Sequence, residues 1–220
     1  QIAFRRYTEM EFDRIYAEVD LGRIEENMKA MKEHLRPGTK MYGVVKTDAY
    51  GHGAVPVART IDRFVCGYAV ATVDEGIKLR RHGIEKEILC LGPVSAGRYQ
   101  ECLENDISLP MFEYRRAKEL SDAAVAEGKT AKIHIAVDTG MSRIGLFPDE
   151  GSVETVKEIA ELPALRIAGM FTHFARADEA DKTKAGEQYR RFHAFCDAVK
   201  AAGVEVPVCH CSNSAGIVEL

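Results

Sequence analysis

The sequence predicts an α/β fold of the (β/α)8 barrel type, in which parallel strands form a barrel inside a ring of helices. Short apolar runs alternate with amphipathic helical stretches along the whole chain, and this alternation is typical of parallel strands joined by helical crossovers. Polar side chains collect directly after several of the apolar runs. The first run is not followed by Gly-x-Gly-x-x-Gly, which disfavours a doubly wound dinucleotide-binding sheet.

Composition excludes several classes of protein. A chain of 220 residues with 46% hydrophobic residues can bury one sizeable core. The net charge of −4 without a long single-sign run gives no support to a nucleic-acid surface. The sequence has no apolar stretch long enough to cross a membrane, and its first residues lack the apolar run of a signal peptide. We therefore expect a cytoplasmic protein.

The six cysteines have no CxxC spacing and indicate reduced thiols rather than a disulfide framework. Cys209-His210-Cys211 resembles a cluster of metal ligands. In a strand, however, the two sulfurs would lie on one face and the imidazole on the other, so one ion could not easily reach all three. We expect no metal site there.

The predicted strands are rich in Val, Ile, Leu and aromatic residues and are bounded by Gly, Pro, Asp or Ser. They cover residues 40–46, 67–71, 87–92, 108–112, 132–138, 167–174 and 206–211. A closed barrel needs an eighth strand, whereas the chain ends at Leu220, just inside the helix after the seventh. The expectation is a barrel truncated after the seventh strand.

Helix boundaries follow from capping residues. Asp20 is the expected N-cap of a first helix, and glycines 83, 128 and 203 mark the ends of three later helices. The predicted helices cover residues 21–34, 73–81, 114–127, 152–162 and 181–202. Residues 15–19 have the pattern of a short strand with nothing to pair with. We assign residues 1–19 to a region that packs with a second domain, and residues 20–220 to the barrel.

Candidate functional residues lie where the strands end, which is where barrels of this type place their active sites. Lys46 ends the first strand, Arg143 follows the fifth, His173 lies in the sixth, and Asn213 and Ser214 follow the seventh. Each has an ordinary alternative role: surface lysine, ion-paired arginine, structural histidine, or helix N-cap for Ser214. Together they offer an amine, a cation, an imidazole and hydroxyl donors, which suits an anionic phosphate cofactor.

Four segments carry a family resemblance. Residues 44–53 (VVKTDAYGHG) closely resemble the pyridoxal 5'-phosphate attachment motif of the alanine racemase family. Residues 138–145 (DTGMSRIG), residues 172–175 (THFA) with Asp178, and residues 211–215 (CSNSA) are similar to further motifs of that family, in the same order. The resemblance implies the N-terminal barrel of a fold type III pyridoxal-phosphate enzyme, with the family's C-terminal β domain absent from this chain.

The resemblance also implies residue roles. Lys46 would hold the cofactor as a Schiff base and act as one of two acid/base groups, and a lysine against apolar barrel walls is favoured as the neutral amine that this bond requires. Tyr50 and Ser214 would bind the cofactor phosphate, with Asn213 beside them. Arg143 would approach the cofactor's phenolic oxygen and the substrate carboxylate. His173 would belong to a hydrogen-bond network around the cofactor.

The implied activity is interconversion of L-alanine and D-alanine for cell-wall peptidoglycan, by a two-base mechanism. The second base would be a tyrosine outside this chain, in the C-terminal domain of the partner subunit of a homodimer, so the segment alone is expected to be inactive. Two alternatives stay open: a serine or broad-specificity racemase, and a non-catalytic barrel that only binds the cofactor. Ala136 occupies the position where many relatives carry a carbamylated lysine, so a bound anion or another side chain would have to steady Arg143.

Overall fold

The computed structural model describes residues 16–220 and contains a seven-stranded sheet in which every neighbouring pair is parallel. The strands are β1 (Tyr42–Val44), β2 (Gly67–Val70), β3 (Glu87–Cys90), β4 (Ile107–Met111), β5 (Ala131–Ala136), β6 (Leu165–Phe171) and β7 (Cys209–His210). They lie in the order β1-β2-β3-β4-β5-β6-β7. Each strand thus neighbours the next along the chain, as in a barrel and unlike a doubly wound sheet, where the order reverses. The predicted barrel-type fold is confirmed.

A helix follows each strand. The helices are α1 (Leu21–His34), α2 (Lys46–Tyr50), α3 (Ala54–Ile61), α4 (Val73–Arg81), α5 (Tyr99–Glu104), α6 (Tyr114–Ala126), α7 (Glu150–Ala160), α8 (Thr183–Ala201) and α9 (Ser214–Glu219). Short 3-10 turns lie at Asp62–Phe64 and Ala96–Arg98. Within residues 16–220, none of the helices is long and apolar enough to cross a membrane.

Capping chemistry explains where the predicted boundaries hold and where they were wrong. Helices α1 and α4 have their predicted bounds, and Asp20 caps α1 by accepting the Arg23 amide at 3.1 Å. Helix α7 begins two residues earlier than predicted because Asp149 is its N-cap and accepts the Ser152 amide at 2.8 Å. Helices α3 and α5, with eight and six residues, were not predicted because they are shorter than the stretch over which helical periodicity is recognised.

The predicted strand at residues 15–19 does not form in its described part, since residues 16–20 have no regular secondary structure. A lone strand leaves its backbone donors and acceptors unpaired, and no neighbouring strand lies beside this one within residues 16–220. Ile15 and the rest of the N-terminal region lie outside the described residues.

The sheet interior contains a polar layer formed by Tyr42, Glu87, His134 and His210, one from each odd-numbered strand. Barrels of this type pack side chains from alternate strands in layers of four, usually branched and apolar. Here the Glu87 carboxylate accepts hydrogen bonds from Tyr42 Oη at 2.6 Å and Ser108 Oγ at 2.8 Å. His134 Nε2 lies 3.1 Å from Glu87, and His134 Nδ1 lies 3.0 Å from His210 Nε2. The rings of Tyr42 and His210, 5.1 Å apart, complete the layer between the two edge strands.

Two glycines make room for this polar layer. A Cβ atom on Gly67 would lie 2.7 Å from Tyr42 Cε1, and one on Gly169 would lie 2.6 Å from His134 Nδ1. Burial opposes the charge of Glu87, but hydrogen bonds from His134, Tyr42 and Ser108 outweigh it and lower the pKa of Glu87 to about 2. Burial and the neighbouring His134 lower the pKa of His210. At neutral pH the layer therefore holds one carboxylate and a neutral His210.

The side chains of Cys209 and His210 lie on opposite faces of β7, as strand alternation predicts. The ring of His210 faces the polar layer and stacks on Phe171 with ring centroids 5.3 Å apart. The thiol of Cys209 instead accepts a hydrogen bond from Cys196 of α8, which holds the pKa of Cys209 below its ordinary value. Among residues 16–220, no three His, Cys, Asp or Glu side chains are grouped as metal ligands would be.

The polar layer should make stability depend on pH. The pKa of His210 lies below its ordinary 6.5, and that of Glu87 lies at about 2 instead of 4.5. The unfolded chain therefore binds more protons in acid, so the free energy of unfolding falls as the pH drops below 6.5 and falls further below 4.5. Glu87→Gln should lower this free energy at neutral pH by about 1–3 kcal/mol and make the second decline shallower. The part that remains comes from the aspartates whose pKa values are also lowered, Asp48, Asp62, Asp74 and Asp181.

Urea unfolding followed by circular dichroism, from about pH 7 to about pH 4, measures both effects. Glu85→Gln is the matched control because Glu85 is exposed and lies two residues away. If Glu87→Gln and the wild type lost stability in parallel below pH 4.5, the assignment of that decline to Glu87 would be wrong.

Candidate active site

Four of the predicted site residues meet at the carboxyl end of the sheet. The pKa of His173 is lowered by burial and then by the positive charges of Arg143 and Lys46, so both charges lie within electrostatic reach of the His173 ring. Lys46 Nζ lies 6.0 Å from the ring centroid of Tyr50. Lys46 and His173 are half-buried, whereas Tyr50 and Arg143 are exposed. The structure thus gathers an amine, a phenol, an imidazole and a guanidinium at one rim.

Lys46 and Tyr50 are linked by an unusual backbone. Helix α2 is a left-handed turn, with φ between 50° and 56° at Thr47, Asp48, Ala49 and Tyr50. The left-handed conformation costs L-residues roughly 1–2 kcal/mol each, and runs of it outside glycine are rare. The turn is closed by hydrogen bonds from Ala49 N to the Val45 carbonyl and from Gly51 N to the Thr47 carbonyl. This strained turn places the Tyr50 ring beside the Lys46 amine.

The loop that carries Arg143 is shaped by the residues around it. Asp138 is buried, and its Oδ1 accepts the amides of Gly140 at 3.0 Å and Ser142 at 2.9 Å. Gly145 has a φ of +127°, and a Cβ atom there would lie 2.5 Å from the Asp138 nitrogen. Only glycine allows this close return of the loop to β5. The positions of Asp138 and Gly145 in the DTGMSRIG motif therefore determine the shape of the loop that carries Arg143.

Arg143 has no hydrogen bond or ion pair with any side chain in residues 16–220. Ala136 occupies the position where many relatives were expected to carry a carbamylated lysine. It is 1% exposed, and its methyl group cannot bond to Arg143. From the sequence, two groups could steady Arg143 in place of a carbamylated lysine, a bound anion and another side chain. Within the described part of the chain, no side chain does so. The guanidinium is exposed, and its donors have no partner in the part of the chain that the structure describes.

The last helix is capped by Asn213 and not by Ser214. Asn213 is the N-cap of α9, and its Oδ1 accepts the Gly216 amide at 2.9 Å. The alternative assignment of the cap to Ser214 was wrong, because Ser214 is the first residue of the helix and its hydroxyl is exposed. Within residues 16–220, no hydrogen bond or ring contact joins either residue to Lys46, Tyr50 or His173. Their cofactor-binding roles stay predictions.

Sequence reasoning missed Gln188, which fastens the loops after β5 and β6 together. It lies on α8 and is 5% exposed. Its amide nitrogen donates to Thr139 Oγ1 and to the His173 carbonyl, both at 3.1 Å, and its oxygen accepts the Ala175 amide at 2.9 Å. A signal was present, because Gln188 occupies one position of the buried stripe on α8, whose other members are Ala185, Phe192, Phe195 and Val199. A buried amide needs partners on the elements beneath it.

The donor set suits pyridoxal phosphate. A half-buried lysine amine can bond to the aldehyde carbon of the cofactor. An unpaired guanidinium and exposed hydroxyls can donate to anionic oxygens. Lys46 and Arg143 add positive charge at the rim, and the carboxylate of Asp138 is engaged by backbone amides. An anionic phosphate cofactor would therefore meet donors rather than free carboxylates at this group of residues.

Comparison with known proteins gives the family. The sequence model described as alanine racemase, N-terminal domain, matches residues 19–220. The chain belongs to the alanine racemase family. It is similar to an alanine racemase of Clostridium novyi (strain NT), with 44% identity over 207 residues, which is 94% of this chain and 53% of that protein. The chain thus spans about half the length of the curated relatives it matches.

Solved structures agree with this family. An alanine racemase of Clostridium difficile 630 superposes with a TM-score of 0.90 at 36% identity, covering 94% of this chain and 55% of that one. An alanine racemase of Bacillus anthracis with bound L-Ala-P superposes with a TM-score of 0.82 at 35% identity, covering 92% of this chain and 52% of that one. The family model, matched over residues 19–220, spans all seven strands.

Replacing Gln188 should loosen both loops at once. Gln188→Leu keeps the approximate volume but leaves the Ala175 amide and the His173 carbonyl without their Gln188 partner. The Thr139 hydroxyl loses its bond to Gln188 but keeps its bond to Thr172. We expect the free energy of unfolding to fall by about 2–4 kcal/mol, since each unsatisfied buried group costs about 1–3 kcal/mol. Urea unfolding measures this. The exposed neighbour Glu187→Gln is the control, and equal stability of the two variants would contradict the role of Gln188.

Proposed function

We propose that this chain is the barrel part of a pyridoxal-phosphate-dependent alanine racemase. The observation that carries the proposal is the convergence of Lys46, Arg143 and His173 at the carboxyl end of the sheet, with Lys46 held beside Tyr50 by a strained turn. Such strain persists where surrounding structure enforces it, which is common at functional sites. Family membership supports the assignment, because the similar proteins are named alanine racemase.

Bound pyridoxal phosphate supplies a conjugated ring that stabilises the negative charge left on the α-carbon when its proton departs. The residues of this chain would orient the reactants and move the proton. The Lys46 amine would hold the cofactor and would also remove or return the α-proton on one face of the amino acid. The Tyr50 and Ser214 hydroxyls donate hydrogen bonds to the phosphate, with Asn213 fixing the start of the helix that carries Ser214.

Arg143 would bind the carboxylate of the amino acid. Its guanidinium has no anionic partner in residues 16–220 and is exposed at the rim, so its fork of donors is available to a planar carboxylate. A barrel that only carried the cofactor would not need this second anion site. The unpaired guanidinium therefore favours catalysis over cofactor storage.

His173 would orient its neighbours as a neutral imidazole. Its pKa lies below the ordinary 6.5 because of burial and the charges of Arg143 and Lys46. A neutral ring can donate one hydrogen bond and accept another, so it can link two polar groups around the cofactor. The Gln188 bond to its backbone carbonyl fixes the position of the ring relative to the Arg143 loop.

Racemisation needs a base on each face of the planar reacting carbon. We propose that the second base is a tyrosine outside residues 1–220, contributed by the partner subunit of a homodimer. We also propose that the enzyme is cytoplasmic and that it supplies D-alanine for peptidoglycan. It follows that residues 1–220 alone do not racemise alanine at a useful rate.

The attachment site can be tested directly. After pyridoxal phosphate and then borohydride are added to the protein, we expect a mass gain of one reduced cofactor, mapped by peptide analysis to Lys46. Lys46→Arg should abolish the gain because a guanidinium does not form this bond under these conditions, whereas Lys40→Arg, at an exposed lysine before β1, should keep it. A gain that maps to another lysine, or none at all, would remove the basis of the proposal.

The role of Arg143 makes a separate prediction for the protein with its C-terminal region. Arg143→Ala should lower kcat/KM for L-alanine by about 10- to 150-fold, the effect of losing a charge-assisted hydrogen bond to a carboxylate. Arg176→Ala, at an exposed arginine paired with Glu179, should leave kcat/KM unchanged. Parallel assays with L-serine separate alanine from serine specificity. An Arg143→Ala enzyme with unaltered kcat/KM would exclude the carboxylate-binding role.

A further inference from the structure

We infer that Glu75 is a positioning residue, whose carboxylate holds the left-handed turn so that Lys46 and Tyr50 face the site. The inference rests on the proposed function for its catalytic consequence, and on the geometry of the described residues for the contact itself. Glu75 belongs to α4, the helix after β2, and contacts neither Lys46 nor Tyr50 through its own side chain. It would act on them through the backbone of the turn.

The Glu75 carboxylate bridges the ends of two neighbouring strands. Its Oε1 accepts the Thr47 amide at 2.6 Å, directly after Lys46. Its Oε2 accepts the Ala71 amide at 2.7 Å and the Thr72 amide at 3.3 Å, directly after β2. Both oxygens are thus engaged by backbone donors, and hydrogen bonds to an ionised acceptor are stronger than neutral ones. One side chain ties the start of the turn to the adjacent strand.

Glu75 is itself held in place by the helix that carries it. Its backbone amide donates to Thr72 Oγ1 at 3.4 Å while its carboxylate returns to the Thr72 amide, a reciprocal capping box at the start of α4. The side chain is half-buried. A carboxylate fixed by its own helix start can fix a neighbouring segment, because little of its freedom remains to be lost.

The turn needs such an anchor. Thr47 to Tyr50 all have positive φ, although L-residues favour right-handed helical conformations. Nothing in the local sequence prefers this handedness until Gly51. The Thr47 amide is the first donor of the left-handed run, so anchoring it determines the direction in which the chain leaves Lys46. Without the anchor, the run should relax towards a right-handed conformation and carry Tyr50 away from Lys46.

A second contact from the same helix is weaker. Lys78, one turn further along α4, bonds to Asp48 Oδ1 at 2.8 Å, and Asp48 Oδ1 also accepts the Ala54 amide at 2.9 Å. The side chains of Lys78 and Asp48 are 48% and 52% exposed, so water and salt screen their pairing. Glu75 is less exposed and reaches backbone groups directly. The carboxylate of Glu75 is therefore the main contact between α4 and the turn.

Amide hydrogen exchange tests the contact without any reaction. In the cofactor-free protein with its C-terminal region, Glu75→Ala should speed exchange in the peptide covering residues 46–53 by about tenfold or more, the effect of losing one charge-assisted hydrogen bond. For Glu75→Gln the exchange rate should lie between those of the wild type and Glu75→Ala, because the single carbonyl oxygen of glutamine can accept from only one of the two strand ends. Asp74→Asn is the control, since Asp74 lies in the same helical turn but pairs with Arg98.

Cofactor binding tests the consequence. Titration with pyridoxal phosphate should give a Kd about tenfold higher or more for Glu75→Ala, again the effect of one lost charge-assisted bond. The kcat of this variant should fall. Its KM for alanine should change little, because Arg143 lies on a separate loop. Wild-type exchange and wild-type Kd in both Glu75 variants would overturn the inference. If Glu75→Ala fails to fold, Glu75→Gln decides. A wild-type protein that exchanges slowly at residues 46–53 but forms no Lys46 adduct would refute the proposed function and leave the contact standing.

Discussion

The candidate site depends above all on the parallel register of the strands. Val44 pairs with Ala69, Ala136 with Phe171, and Phe171 with His210, so the residues that follow β1, β5, β6 and β7 emerge at one edge of the sheet. Lys46, Arg143, His173 and Ser214 are far apart in sequence and come to the same rim only because every strand runs in the same direction. Backbone hydrogen bonding thus sets the positions from which the side chains act.

The sheet places the loops of the rim only approximately, and hydrogen bonds from polar side chains then fix their conformations. Gln188 joins the loops after β5 and β6, and Glu75 joins the segments after β1 and β2. Both lie on helices rather than in the motifs, and both direct charge or dipole at backbone groups. The helices around the barrel therefore do more than cover apolar strand faces. They also hold the rim loops in particular conformations, which matters because catalytic geometry tolerates little displacement.

The order of elements could be predicted from the sequence because it depends on local patterns. Apolar runs that alternate with helical stretches, together with capping residues and terminal glycines, predicted the order of elements and two helices with their observed bounds. The left-handed turn could not be predicted, since Thr47, Asp48 and Ala49 have no preference for it and it is held by Glu75, which is distant in sequence. The polar layer was missed for a similar reason. Alternation can place Glu87 or His134 on an inner face, but only the register brings them within hydrogen-bonding distance.

The polar layer also limits how the chain can vary. Gly67 is small because the Tyr42 ring occupies the space where its Cβ would lie, and Gly169 is small because His134 does the same. Each Cβ would also meet a backbone carbonyl oxygen, that of Glu87 at 2.9 Å from Gly67 and that of Val208 at 2.9 Å from Gly169. A smaller side chain in place of either ring would therefore open a void beside the half-buried Glu87 carboxylate without giving its glycine room for a side chain. The restriction runs in one direction: the glycine admits the ring, but loss of the ring would not release the glycine.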